Sequence, residues 1–164
     1  MLLGCNTYSS NLRNKNISGE EFINRNHKAV DSLTTQMSGK VHKDYPIVIS
    51  TIVNMNQLSQ TSSFGRLLTE QISGRFTQQK YSVVEMKMRN DVLIKDDQGE
   101  FLLTRELKDL ATSVSSQAVV VGTYAVNGTD VFVNLKVVQP NTNLVLAASS
   151  YSIPKTRNMV DMLR

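Results

Sequence analysis

The spacing of apolar positions changes along the chain, and the changes mark out its elements. Phe22, Ala29, Val30, Leu33 and Met37 recur at helical spacing behind Ser18 and Glu21, a pair that matches the S-x-x-E capping box. The spacing predicts an amphipathic helix over 19 to 37, with Gly39 as its stop. After Tyr45-Pro46, the β-branched run from Ile47 to Val53 is short enough to be one buried strand, the expected centre of a sheet. Asn54 to Gln60 reads as a polar loop, and Thr61, Ser62 or Ser63 can cap a second helix. Its expected apolar face is Phe64, Leu67, Leu68, Ile72 and Phe76, with Arg66, Glu70 and Arg75 pointing elsewhere. Tyr81 to Met86 alternates as a second strand. Residues 87 to 100 are polar apart from Val92-Leu93-Ile94, with Asp97-Gln98-Gly99 as a turn, and Thr104 caps a third helix carrying Leu107, Leu110, Ala111 and Val114.

The last third carries the strongest strand signal. Ala118 to Val126 leads into Asn127-Gly128, two residues that tolerate positive φ and suit a tight hairpin turn. Beyond it Val131, Val133, Leu135 and Val137 alternate with Phe132, Asn134 and Lys136, which gives one apolar and one mixed face. Pro140 to Asn143 forms the next turn, and Leu144 to Ile153 returns as a strand. The fold class is therefore α/β: a mixed sheet with a C-terminal antiparallel three-strand meander and about three packing helices. Residues 1–17 are expected to be a tether, 18–155 a single domain, and 156–164 a tail whose Met159, Val160 and Leu163 suit either a short docking helix or a frayed end.

Composition narrows the function. A chain of 164 residues is long enough for one real core, and no apolar run reaches the length of a membrane span. The formal charge of +4 would admit a nucleic-acid partner. However, basic and acidic residues are interleaved, as in Lys87, Arg89, Asp91, Lys95, Asp96 and Asp97, and Trp is absent, so no nucleic acid is expected.

Catalytic chemistry finds little footing. His27 falls on the first helix and His42 in a loop, neither with Cys, Asp or Glu at ligand spacing, so no metal is expected. No serine sits in a G-x-S-x-G elbow, and the glycines form neither a dinucleotide fingerprint nor a Walker loop. Asp96-Asp97 beside Gly99 lacks the remaining ligands of a cation loop. Met55, Met86 and Met88 read as filler rather than a cofactor box. No cofactor and no enzymatic activity are expected. Two residues stand out as partner contacts instead: Arg66, which follows Gly65 on the second helix, and Tyr124, whose hydroxyl suits a partner surface or a cross-strand neighbour.

The single cysteine, Cys5, follows Leu2-Leu3-Gly4, a string similar to the lipobox at the end of a bacterial lipoprotein signal peptide. Leu2 and Gly4 fit that pattern, whereas Leu3 stands where a smaller residue is usual. Residues 6 to 17, rich in Asn and Ser, have too little apolar surface to offset the entropy of ordering and suit a spacer between lipid and domain. With Asn at position 6, the resemblance implies lipidation at Cys5 and export to the outer membrane of a Gram-negative bacterium.

The order of further motifs is more specific. Behind Cys5 come PIVISTIVNMNQL, TSSFGRLLTEQISGRF, YSVVEM, TRELKDLA and SSQAVVVGTYAVNGTDVFVNLKVVQPNTNLVLAASSYSIP. This series resembles the FlgO family of flagellar outer-membrane proteins, whose shared domain pairs an S-x-x-G-R-L-x-x-E-type helix with a VVVGTY-type strand and a following hairpin. The resemblance covers roughly residues 40 to 155. It implies a non-enzymatic lipoprotein that supports flagellar assembly, stability and motility through basal-body or sheath-associated proteins, with homo-oligomerisation left open. The alternative is a periplasmic lipoprotein regulator of a cell-wall enzyme. In the flagellar reading the edge strands of the meander are expected to add to a neighbour's sheet.

Overall fold

The computed structural model describes residues 17–86, 93–95 and 101–164. Its elements run α1 (Gly19–Met37), β1 (Ile47–Ser50), β2 (Val53–Asn54), α2 (Ser63–Gln78), β3 (Val83–Met86), β4 (Leu93–Lys95), β5 (Phe101–Leu103), α3 (Arg105–Ser113), β6 (Ala118–Asn127), β7 (Asp130–Val138) and β8 (Val145–Pro154), then a 3-10 turn, Arg157–Met162. The α/β class with a C-terminal antiparallel meander is as expected. The main sheet runs β3-β1-β6-β7-β8, with β2 also on β6. β1 lies parallel to both β3 and β6, and β6, β7 and β8 are antiparallel. The expected turn 97–99, the pair Asp96-Asp97, Met88, Cys5 and the tether to residue 16 lie outside the described residues.

The helix starts follow local chemistry. Ser18 Oγ accepts the Glu21 amide at 3.0 Å, while the Glu21 carboxylate takes Arg25 instead of closing the capping box. α1 ends where expected, with Gly39 at φ 75°. Ser62 caps α2, its Oγ accepting the Gly65 amide at 3.0 Å. Thr104 occupies the cap position of α3, but its side chain makes no cap bond, contrary to the sequence reading.

Two other departures share a physical cause, the close approach of α2 to the strand backbone. The single strand expected over 47–53 is two, because at Ile52 the backbone amide leaves the ladder and donates to Thr69 Oγ1 of α2 at 2.9 Å. Leu67, assigned to the apolar face of α2, is partly exposed; Gly65, Thr69 and Ser73 are buried beside Phe64, Leu68, Ile72 and Phe76. Small residues occupy that face because the helix lies against backbone. The β6–β7 turn is centred on Gly128-Thr129, with Asn127 paired to Asp130, and only Gly128 of the expected pair has positive φ. Two strands not foreseen, β4 and β5, form a separate antiparallel ladder.

The sheet has two unlike faces. On one, α1 and α2 bury Val30, Leu33, Met37, Phe64, Leu68, Ile72 and Phe76 against Val120, Val131, Val133 and Val137. On the other, Leu107 and Ala111 of α3, with Leu93 and Leu103, cover Val48, Val119, Val121 and Val138. The C-terminal turn docks on the larger core through buried Met159, with Met162 and Leu163 half-buried beside it, while Val160 stays exposed.

Candidate interaction surface

The residues behind the family resemblance converge at one joint. Tyr124 on β6 is 1% exposed, its hydroxyl is 2.6 Å from Ser62 Oγ, and its ring meets Phe64 edge-on at 5.1 Å. Ser62 therefore joins the cap of α2 to the sheet. Thr69 completes the lacing, donating to the Gly65 carbonyl at 2.7 Å while accepting the Ile52 amide. Two glycines sit around the same Ile52. A Cβ on Gly65 would stand 2.1 Å from the Ile52 carbonyl oxygen, and one on Gly122 would meet Leu135 Cδ2 at 2.8 Å and Ile52 Cγ1 at 2.9 Å. The GR and GTY motifs thus build the scaffold. Tyr124 is corrected from a partner contact to a buried strut, since burial and its bond to Ser62 leave the hydroxyl no surface to reach.

A second polar network crosses three elements. Asn26, fully buried on α1, accepts from the Tyr151 hydroxyl at 2.6 Å and donates to Gln71 Oε1 of α2. Burial raises the Tyr151 pKa well above its usual value, which keeps this hydroxyl a donor. At the helix surface Arg75 grips Asp31 with two bonds of 2.8 Å, and Gln79 adds a third at 2.9 Å. The hydrogen bond from Arg75 lowers the Asp31 pKa. These partners tie α2 to α1 and β8. Asn26 was missing from the sequence reading, although its place four residues beyond Phe22 on an apolar stripe was a signal.

The remaining candidates lie on the surface. Arg66 is exposed and donates to Ser63 Oγ at 3.0 Å, free to meet a partner alongside half-exposed Leu67. His42 is exposed and His27 intermediate; among the described residues no group of three or more His, Cys, Asp or Glu could hold a metal ion. A shallow depression of about 390 Å³ at one end of the sheet is lined by Tyr45, Thr112, Ser115, Ser116, Gln117 and Pro140, without a charged group among them. Gln117 is already committed to the backbone of His42.

The meander presents an open face. β7 and β8 carry Phe132, Asn134, Lys136, Ala148, Ser150 and Ser152 on the face away from α1 and α2, as their register requires. Phe132 is 44% exposed, Lys136, Ala148 and Ser150 are exposed, and Ser150 Oγ donates to Asn134 Oδ1 at 2.8 Å. The small side chains leave this face low, with one aromatic ring standing above it. Its chemistry suits association rather than proton transfer or nucleophilic attack.

Comparison with solved structures gives the same fold. The LpoB C-terminal domain from Escherichia coli superposes with a TM-score of 0.55 at 10% identity, covering 79% of this chain and 98% of that one. The LpoB C-terminal domain from Salmonella enterica gives 0.54 at 11%, covering 77% and 96%. At these identities the likeness is one of architecture. No curated protein matches the sequence. Residues 27–158, most of the chain and all of the laced joint, match the model of the FlgO protein family, and the chain belongs to that family.

Proposed function

We propose that this chain is a non-enzymatic lipoprotein, anchored in the outer membrane of a Gram-negative bacterium through Cys5, that supports flagellar assembly, stability and motility by protein–protein contact. Membership of the FlgO family over residues 27–158 is the observation that carries the reading. The surface supports it: the open half of the sheet around Phe132 and the exposed Arg66 offer contact area on a rigid scaffold. Residues 1–17 serve as anchor and spacer, and the domain begins at α1. A thioether-linked diacylglycerol with a further acyl chain would hold the protein firmly, where one short chain would not.

Deleting the gene and scoring swimming in soft agar, with rescue by wild type and by Cys5→Ser, tests this. Swimming lost on deletion and restored only by the wild type is the expected outcome. Normal swimming in the deletion strain would sink the flagellar role and put the regulator of a cell-wall enzyme first, with cell-wall synthesis as the next assay.

A further inference from the structure

β8 is the end strand of the sheet and ten residues long, so among the described residues one row of its backbone groups has no neighbouring strand. Such an edge is a template for pairing with another chain. In an antiparallel ladder alternate residues turn their N–H and C=O away from the partner strand. On β8 the even-numbered residues do so, as the side chains of α1 and of the turn after it show by reaching their backbone groups. Lys40 Nζ donates to the Leu146 carbonyl at 3.2 Å, Gln36 Nε2 to the Ala148 carbonyl at 2.9 Å, and Arg25 to the Ser152 carbonyl at 3.0 Å. The Ala148 amide in turn donates to Gln36 Oε1 at 3.2 Å. Gln36 therefore engages Ala148 as a neighbouring strand residue would, through one donor and one acceptor. The next outward residue is Pro154, which has no N–H to offer.

We infer that β8 is a latent strand-pairing site for a second copy of this chain, held closed by Arg25, Gln36 and Lys40. The edge is long, and Ala148, Ser150 and Ser152 present no bulky side chain beside it. An antiparallel pairing of β8 with β8 is self-complementary and closes as a two-fold dimer, so the occupant of the opened edge is the same edge of another molecule. The latch reverses the expectation that the meander edge is free for strand addition. Partner binding by the native chain then falls to its faces.

The combined variant Arg25→Ala, Gln36→Ala, Lys40→Ala, examined by sedimentation beside the wild type, should move from monomer to dimer. Adding Ser150→Pro, which removes an outward N–H without touching the β7 ladder, should return it to monomer. Lys28→Ala, exposed on the same helix, should change nothing. A folded triple variant that stays monomeric, or a dimer indifferent to Ser150→Pro, would overturn the inference. Hydrogen exchange on the wild type decides even if the variant does not fold. The Ala148 amide should exchange about five- to tenfold more slowly than that of Ser150, and equal rates would mean that Gln36 does not close the edge.

Discussion

Replacing Gly65 by alanine tests the joint between α2 and the sheet, and Gly74 provides the control on the same helix. The new methyl at position 65 would lie 2.1 Å from the Ile52 carbonyl oxygen, so helix and strand must part by about 1 Å to restore ordinary contact. Little can yield there. The Ile52 amide is held by Thr69, Thr69 by the Gly65 carbonyl, and the Ile52 side chain is seated against Gly122. Overpacking costs about 1–3 kcal/mol, and a buried donor torn from its acceptor about 1–3 kcal/mol more. The helical preference of alanine over glycine offsets about 0.8–1.0 kcal/mol at most. The balance is a loss of about 2–4 kcal/mol, a drop in Tm on the order of 5–15 °C for a chain of this size.

At Gly74 a Cβ meets nothing within 4 Å, so the same substitution retains only the propensity gain. Gly74→Ala should be more stable by up to about 1 kcal/mol. Urea unfolding followed by circular dichroism reads both, the midpoint moving down for Gly65→Ala and up for Gly74→Ala with the slope unchanged. If the two variants moved together, or Gly65→Ala were neutral, the close approach of Ile52 to α2 would be wrong, and with it the structural role given to the GR motif.

Tyr124→Phe keeps the edge-on contact with Phe64 and removes only the bond to Ser62, which still caps Gly65; urea unfolding should show a loss of about 0.5–1.5 kcal/mol. For Asp31, Arg75 holds the folded pKa below the unfolded one, so the pair stabilises the fold above the unfolded value of the carboxyl. That contribution disappears as pH falls through the folded pKa. Urea midpoints of wild type and Asp31→Asn should therefore differ at neutral pH and converge in acid; a gap that persisted in strong acid would refute the assignment.

Much of this architecture was legible because it rests on period and local chemistry. The cap at Ser18 and the stripe from Phe22 to Met37 give α1, and the alternation from Val131 to Val137 gives both faces of β7. The break at Thr51-Ile52 was not legible, since the run is β-branched throughout and only a side chain on another element, Thr69, draws the Ile52 amide out of the ladder. The misplacement of Leu67 has the same origin: hydrophobicity favours a leucine on the buried face, whereas the backbone of Ile52 admits a glycine there. Tyr124 failed as a contact because its strand, β6, is central and buried on both faces over most of its length. Lys40, Gln36 and Arg25 carry no signal in the sequence, because their partners are backbone groups of β8, more than 100 residues away.

The motifs that identify the family and the surface that meets its partners therefore need not coincide. Ser62, Gly65, Gly122 and Tyr124 are spent inside the joint, where a change in any of them acts first on stability. Phe132, Asn134 and Lys136 have no such duty toward the core. Substituting them on the exposed face should leave the free energy of unfolding within about 0.5 kcal/mol of the wild type. Binding specificity can thus change on the open half of the sheet while the laced joint keeps the fold, and a search for partner residues belongs on that face and at Arg66 rather than at the motif residues spent in the joint.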